Sequence, residues 1–299
     1  MSTNFGATEK SIESLFVEGK KFFFEGVSHE IIFCGKPKPS KGECKTDLYI
    51  LASTPSGKNM EFKISIKQDN ADFLENKIKL SRAVEIFGDN AQELIANSTV
   101  LLKKNFEDEP KVYFKAKGRT EQGCITLGWK FELLNVISGS KSGILKLTEE
   151  QKVDIYAGTN LNQDKKDCFV KGKIIKNSGV ANFILIINHV IIGDLQQYVS
   201  MLIPIEAFAK ESNIFFACKA LNYRIQKNKW DGDRPLAVYV DWKFENNMLT
   251  SQLIFNTPLK IKGNEIGENI RSILKRLKIV NENFSELRKY LHREVKIHE

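Results

Sequence analysis

Gly42-Glu43-Cys44-Lys45-Thr46-Asp47-Leu48-Tyr49-Ile50-Leu51-Ala52-Ser53 runs into Thr54-Pro55-Ser56-Gly57-Lys58-Asn59 and then Met60-Glu61-Phe62-Lys63-Ile64-Ser65-Ile66-Lys67. The middle segment is dense in turn formers, and both flanks are rich in β-branched and aromatic residues, which is the pattern of a β-hairpin. Strand side chains alternate between faces. Phe62, Ile64 and Ile66 therefore share one face, and Glu61, Lys63, Ser65 and Lys67 share the other. A turn centred on Ser56-Gly57 pairs residues whose numbers sum to about 112–114. Asp47 then faces Ser65 or Lys67, while Glu61 sits up near the turn.

The polar face has two readings. As plain structure it is the solvated side of an antiparallel sheet. As chemistry it is a hydrolytic site, in which carboxylates hold Mg²⁺ against a phosphate and a lysine orients or deprotonates the attacking water.

Asp47, with Glu61-Phe62-Lys63 one hairpin later, resembles the PD-(D/E)xK signature shared by many type II restriction endonucleases. The surrounding order is similar to that family's core of helix, three strands, helix, strand. A helix from about Thr8 to Glu25 comes first, then a strand near Glu30–Cys34, the two hairpin strands, a helix from about Ala71 to Phe87, and a strand near Lys111–Ala116. The fold class expected is α/β (α+β), with this restriction-endonuclease-like core in residues 1–137. A mixed α/β DNA-recognition region (144–262) and a C-terminal helical hairpin (263–299) follow, or the whole forms one continuous domain. Ser138–Gly143 is the most linker-like segment.

The sequence departs from the family at Thr46, where a proline is usual, and the hairpin register places Ser65-Ile66-Lys67 at the acid-x-lysine position. The resemblance then implies that Asp47 bridges the metal, Lys67 sits beside the nucleophilic water, and Lys63 stands in reserve. Glu75, on the following helix, and Glu61 compete to be the second metal ligand. The cofactor implied is Mg²⁺, with Mn²⁺ able to replace it. First-helix acids lean into the site in some members, which brings Glu13 and Glu18 into consideration; simple exposure is their plainer reading.

A net charge of +8 favours a polyanionic partner. Lys38 and Lys41 lie in a basic Gly/Pro loop just before Asp47, a phosphate clamp or an ordinary surface loop. Asn76, Lys77 and Arg82 could reach DNA backbone or base edges from their helix, against the plainer reading of a solvated face. Arg224, Lys227 and Lys229 interleave with aromatics in a loop, the mixture suited to phosphate contact and stacking. Its plain counterpart is a polar connection in which Arg234 pairs with Asp231 or Asp233.

Five scattered cysteines without a C-x-x-C pair argue against a disulfide framework and a structural zinc site, and four unclustered histidines argue against histidine-based zinc chemistry. No apolar run is long enough to span a bilayer, and the start lacks the order of a signal peptide, so a cytoplasmic, bacterial or phage-like protein is expected. Neither a P-loop, a Rossmann glycine loop nor a serine-nucleophile elbow occurs. The function expected is a Mg²⁺-dependent DNA endonuclease, a type II restriction enzyme acting on a specific double-stranded DNA sequence as a homodimer. A cognate methyltransferase would be its genetic rather than physical partner. The alternatives are a non-catalytic nucleic-acid-binding protein, such as a phage or replication accessory factor, and a structural protein that is basic because of an AT-rich genome.

Overall fold

Runs of aromatic and β-branched residues build the first sheet. Helix α1 (Phe5–Glu13) precedes four strands, β1 (Lys21–Phe24), β2 (Val27–Gly35), β3 (Leu48–Ser53) and β4 (Asn59–Gln68). The computed structural model describes residues 5–68, 73–76, 78–187 and 193–299. It divides into two units, residues 1–72 with 147–213 and residues 73–146 with 214–299. Both are mixed α/β. Residues 138–143 lie inside the second unit, where Ser142–Ile144 pairs with Phe215–Arg224.

In the first unit β1 to β4 form an antiparallel meander. Glu25 and Gly26, both at positive φ, make the tight turn between β1 and β2. The β3–β4 ladder pairs Leu48 with Ile64 and Ser53 with Asn59, the register expected from the turn. After the excursion through the second unit, the helix Glu149–Ala157 leads to strand Phe183–Ile187, which lies parallel to β4. Parallel neighbours need such a crossover. Thr148 caps that helix, its hydroxyl accepting from Gln151 N–H while the Gln151 side chain accepts from Thr148 N–H.

One face of the sheet buries Leu48, Ile50, Phe62, Ile64, Ile66 and Leu185 together with Ile12, Phe16 and Phe22. Each such side chain contributes roughly 1.5–3 kcal/mol when taken out of water. Tyr49, Ser65 and Ile184, which alternate with them, are buried as well. Around β4 the sheet is therefore covered on both sides, and only part of the polar face is solvated.

Several expected elements are corrected. The first helix stops at Glu13, because Phe22 is buried and Phe23 exposed, a period of two that fits β1. The expected helix from 71 begins only at Leu80; Phe73–Glu75 is a strand drawn into pairing with Cys124–Leu134 of the second unit. Asp69 and Asn70, residue types that would cap such a helix, lie outside the described residues. The apolar stretch Phe169–Ile175, which reads as one strand in the sequence, is a hairpin of Cys168–Val170 and Lys173–Ile175, because Lys171 and Gly172 take positive φ.

The second unit is organised on Cys124–Leu134, a strand flanked by Phe215–Arg224 and Val238–Glu245. Helix Gly263–Arg276 buries Ile266, Ile270, Ile273 and Leu274. The C-terminal hairpin of helices is not formed. Phe284–Tyr290 is 3₁₀, and Ile297–His298 closes the chain as a strand parallel to Val112–Tyr113.

Gly179 shows how tightly the first unit is locked beside Asp47. A Cβ there would collide with the Lys165 carbonyl oxygen and lie 2.8 Å from Cys168 Sγ and 2.9 Å from Cys44 Cβ. Gly179→Ala should cost on the order of 3 kcal/mol in denaturant unfolding.

Candidate active site

At the end of the β3–β4 ladder the backbone leaves regular pairing. Asp47 N–H donates to the Ile64 carbonyl at 2.8 Å, and Asp47 Oδ2 accepts from Ile66 N–H at 2.8 Å. The carboxylate thus takes the place of a backbone acceptor and is fixed beside Ser65 and Lys67. Burial pushes the Asp47 carboxyl up to about 6, against the opposing pull of the Lys67 charge and the Ile66 hydrogen bond. Glu9 pushes the same way as burial, and Lys36 opposes it. These are the charged groups that face Asp47 from β4, α1 and the loop after β2. Ser65 is 1% exposed, and its Oγ has no hydrogen-bond partner among the described residues. An orphaned hydroxyl between an acid and a lysine is unusual in a finished core.

Glu9 is the residue that sequence reasoning missed. Its carboxylate accepts from Lys36 Nζ at 2.6 Å, and its side chain is mostly buried. No sequence pattern tied α1 to the end of β3; Glu13 and Glu18 were considered because they lay within the expected longer helix. Those two line a separate shallow groove with Cys34 and Lys171, and Glu18 pairs with Lys171 at 2.8 Å.

The other candidates are distributed as follows. Glu61 lies toward the turn, opposite Leu51, where it accepts from the Tyr49 hydroxyl at 2.7 Å and pairs with Lys63 at 3.6 Å. Lys63 is thereby turned to Glu61 rather than to Asp47. Glu75 belongs to the second unit, and its carboxylate pairs with Arg82 at 3.1 Å. Arg82 is largely buried between Glu75 and Glu85, so it is a structural ion pair rather than a DNA contact. Asn76 is exposed in the second unit, and Lys77 lies outside the described residues. Arg224 ends a strand and is held by Asp231 at 2.5 Å and Glu121 at 2.8 Å. It is Arg224, not Arg234, that engages Asp231. Lys227 pairs loosely with Glu121 at 3.5 Å, and Lys229 is exposed beside it. Lys38 and Lys41 are exposed on the loop that leads to Asp47.

A second concentration of titratable groups, in the second unit, is already fully used. Lys111 is 3% exposed, and its ammonium donates to the carbonyls of Phe106, Glu107 and Glu109. Burial lowers it to about 8. It closes the end of helix Lys103–Glu107, as a lysine there should.

Among the described residues no three His, Cys, Asp or Glu side chains form a ready-made metal cage. Mg²⁺ does not need one, since it commonly takes one or two carboxylates and completes its shell with water and substrate phosphate. Asp47, with Glu9 near enough for its charge to act on it, offers carboxylates of the type such a site uses. No helix among the described residues is long and apolar enough to cross a membrane. No protein-family model, curated protein or solved structure matches the chain.

Proposed function

We propose that the chain is a divalent-metal-dependent endonuclease of the PD-(D/E)xK kind that hydrolyses phosphodiester bonds in double-stranded DNA. The observation that carries this reading is the junction where Asp47 is pinned to Ile66 N–H beside Ser65 and Lys67. The order of elements in the first unit supports it. With the edge strand β1, the short helix Gln163–Lys166 and the ribbon Cys168–Ile175 set aside as additions, helix α1, strands β2 to β4, the helix Glu149–Ala157 and the strand Phe183–Ile187 follow the expected series of helix, three strands, helix, strand. The second helix and last strand of that series come from the returning chain rather than from residues 71–116, with the second unit inserted between.

Mg²⁺ or Mn²⁺ would be held by Asp47 and Glu9, and would supply positive charge to the phosphate and a more acidic bound water. Ile66 N–H holds Asp47 in place. Lys67, as an ammonium, orients the attacking water and stabilises the negative charge that builds on the phosphate, the water's proton passing to solvent; the Ser65 hydroxyl lies on the same face of β4. In this assignment Glu9 takes the second-acid role expected of Glu75 or Glu61. Cutting both strands requires two such sites, so a two-fold homodimer belongs to the proposal, as does a cognate methyltransferase as genetic partner.

The competing reading, a binding protein without catalysis, is favoured by the Lys36–Glu9 pair, which occupies one of the two acids. Supercoiled plasmid separates the two. Linear or nicked product in Mg²⁺ and none in EDTA supports hydrolysis. Intact plasmid under every divalent ion and with DNA from diverse sources leaves the binding reading.

A further inference from the structure

Most of the chain's excess charge sits in two short segments that the fold places together. Residues 36–45 and 163–176 contain nine lysines and three acids, a net +6 of the total +8. Lys38 and Phe169 exchange backbone hydrogen bonds, each 2.9 Å, across an isolated bridge. Lys45 N–H donates to the Gly179 carbonyl at 3.0 Å, and a Cβ on Gly42 would touch Lys165 Cε at 3.3 Å. The loop before Asp47 and the ribbon Cys168–Ile175 therefore make one surface within the first unit.

Its charges are available. Lys38, Lys41, Lys173 and Lys176 are exposed and have no ion pair among the described residues. Lys171 and Lys173 hold their ammonium groups 5.8 and 5.7 Å from the Phe33 ring. Across the ribbon, Phe169 and Ile174 are paired and exposed, 43% and 64%. An apolar pair on a two-stranded ribbon, framed by cations, matches what duplex DNA offers. The major groove admits a two-stranded ribbon, thymine methyl groups meet apolar side chains there, and phosphates flank it at close spacing.

We propose that residues 36–45 and 163–176 form a docking platform for duplex DNA, with the lysines on the phosphates and the ribbon Cys168–Ile175 directed into the major groove. It deepens the nuclease reading and rests on it for the identity of the partner. The platform's first segment ends two residues before Asp47 in sequence.

The test is binding of a labelled duplex of about 30 base pairs in EDTA, where no cleavage intervenes, over a salt series. The wild type is compared with the triple variant Lys38→Gln, Lys41→Gln, Lys173→Gln. A control triple, Lys104→Gln, Lys260→Gln, Lys275→Gln, removes the same charge from exposed positions of the second unit. The platform variant should bind more weakly, with the log–log salt slope reduced by about 0.9 for each lysine that meets a phosphate. The control should keep the wild-type slope. Equal loss in both triples, no loss in the platform triple, no duplex binding by wild type, or binding only to anionic vesicles would each overturn the proposal. Failure of the hydrolytic reading is distinguishable: plasmid left uncut in Mg²⁺ by a protein whose platform variant still loses the slope leaves the platform standing.

Discussion

Asp47→Asn should make the protein more stable at neutral pH, by about 3 kcal/mol in EDTA, while removing its metal-dependent activity. A free aspartate titrates at 3.8 and the folded Asp47 carboxyl at about 6. The folded state therefore binds more protons across that interval. Stability owed to Asp47 is fully present below 3.8 and is lost as pH rises through 6. An amide carries no charge to desolvate and keeps an oxygen for Ile66 N–H, so the variant escapes the loss. Denaturant unfolding of both proteins should converge near pH 4 and separate by pH 7. Curves that stay parallel from pH 4 to pH 7 would show that burial does not hold the carboxyl in its acid form.

Lys67→Gln should cut the cleavage rate about a thousandfold, the range expected for loss of one positioned group that stabilises transition-state charge. Glutamine keeps a hydrogen-bond donor on a slightly shorter side chain but carries no positive charge. Duplex affinity in EDTA should change by no more than one phosphate contact. Single-turnover cleavage at saturating protein reads the chemical step apart from binding. A rate within threefold of wild type would remove Lys67 from the reaction.

Local signals were legible in the sequence and long-range ones were not. The β3–β4 hairpin and the strand at Glu30–Cys34 lie where alternation and turn residues place them. The Thr148–Gln151 box was readable because both partners lie within one turn. Phe73–Glu75 followed no such signal. A three-residue strand is decided by the edge it pairs with, here Leu133 and Leu134, about sixty residues away in sequence. Phe215–Arg224 shows the same limit: its central place beside Cys124–Leu134 comes from pairing, and its end had been read as loop. The register that sets Asp47 beside Ser65 followed from turn geometry alone. Glu9 did not, because its place depends on how α1 packs on the sheet through Ile12, which no periodicity records. Arg82 and Arg224 looked like readers of DNA because a sequence shows their charge but not the Glu75, Glu85, Asp231 and Glu121 carboxylates that fold against them.

The central claim is that Asp47 grips a divalent ion at the phosphate, with Lys67 alongside. Its most direct test is anomalous diffraction from crystals of the Lys67→Gln variant grown with duplex DNA and Mn²⁺, since that variant keeps both carboxylates and cleaves slowly. The expected result is one strong Mn²⁺ peak bonded to Asp47 and to a non-bridging oxygen of a backbone phosphate, with residue 67 adjacent to that phosphate. A Mn²⁺ peak away from Asp47, or DNA seated so that no phosphate approaches the end of the β3–β4 ladder, would contradict it.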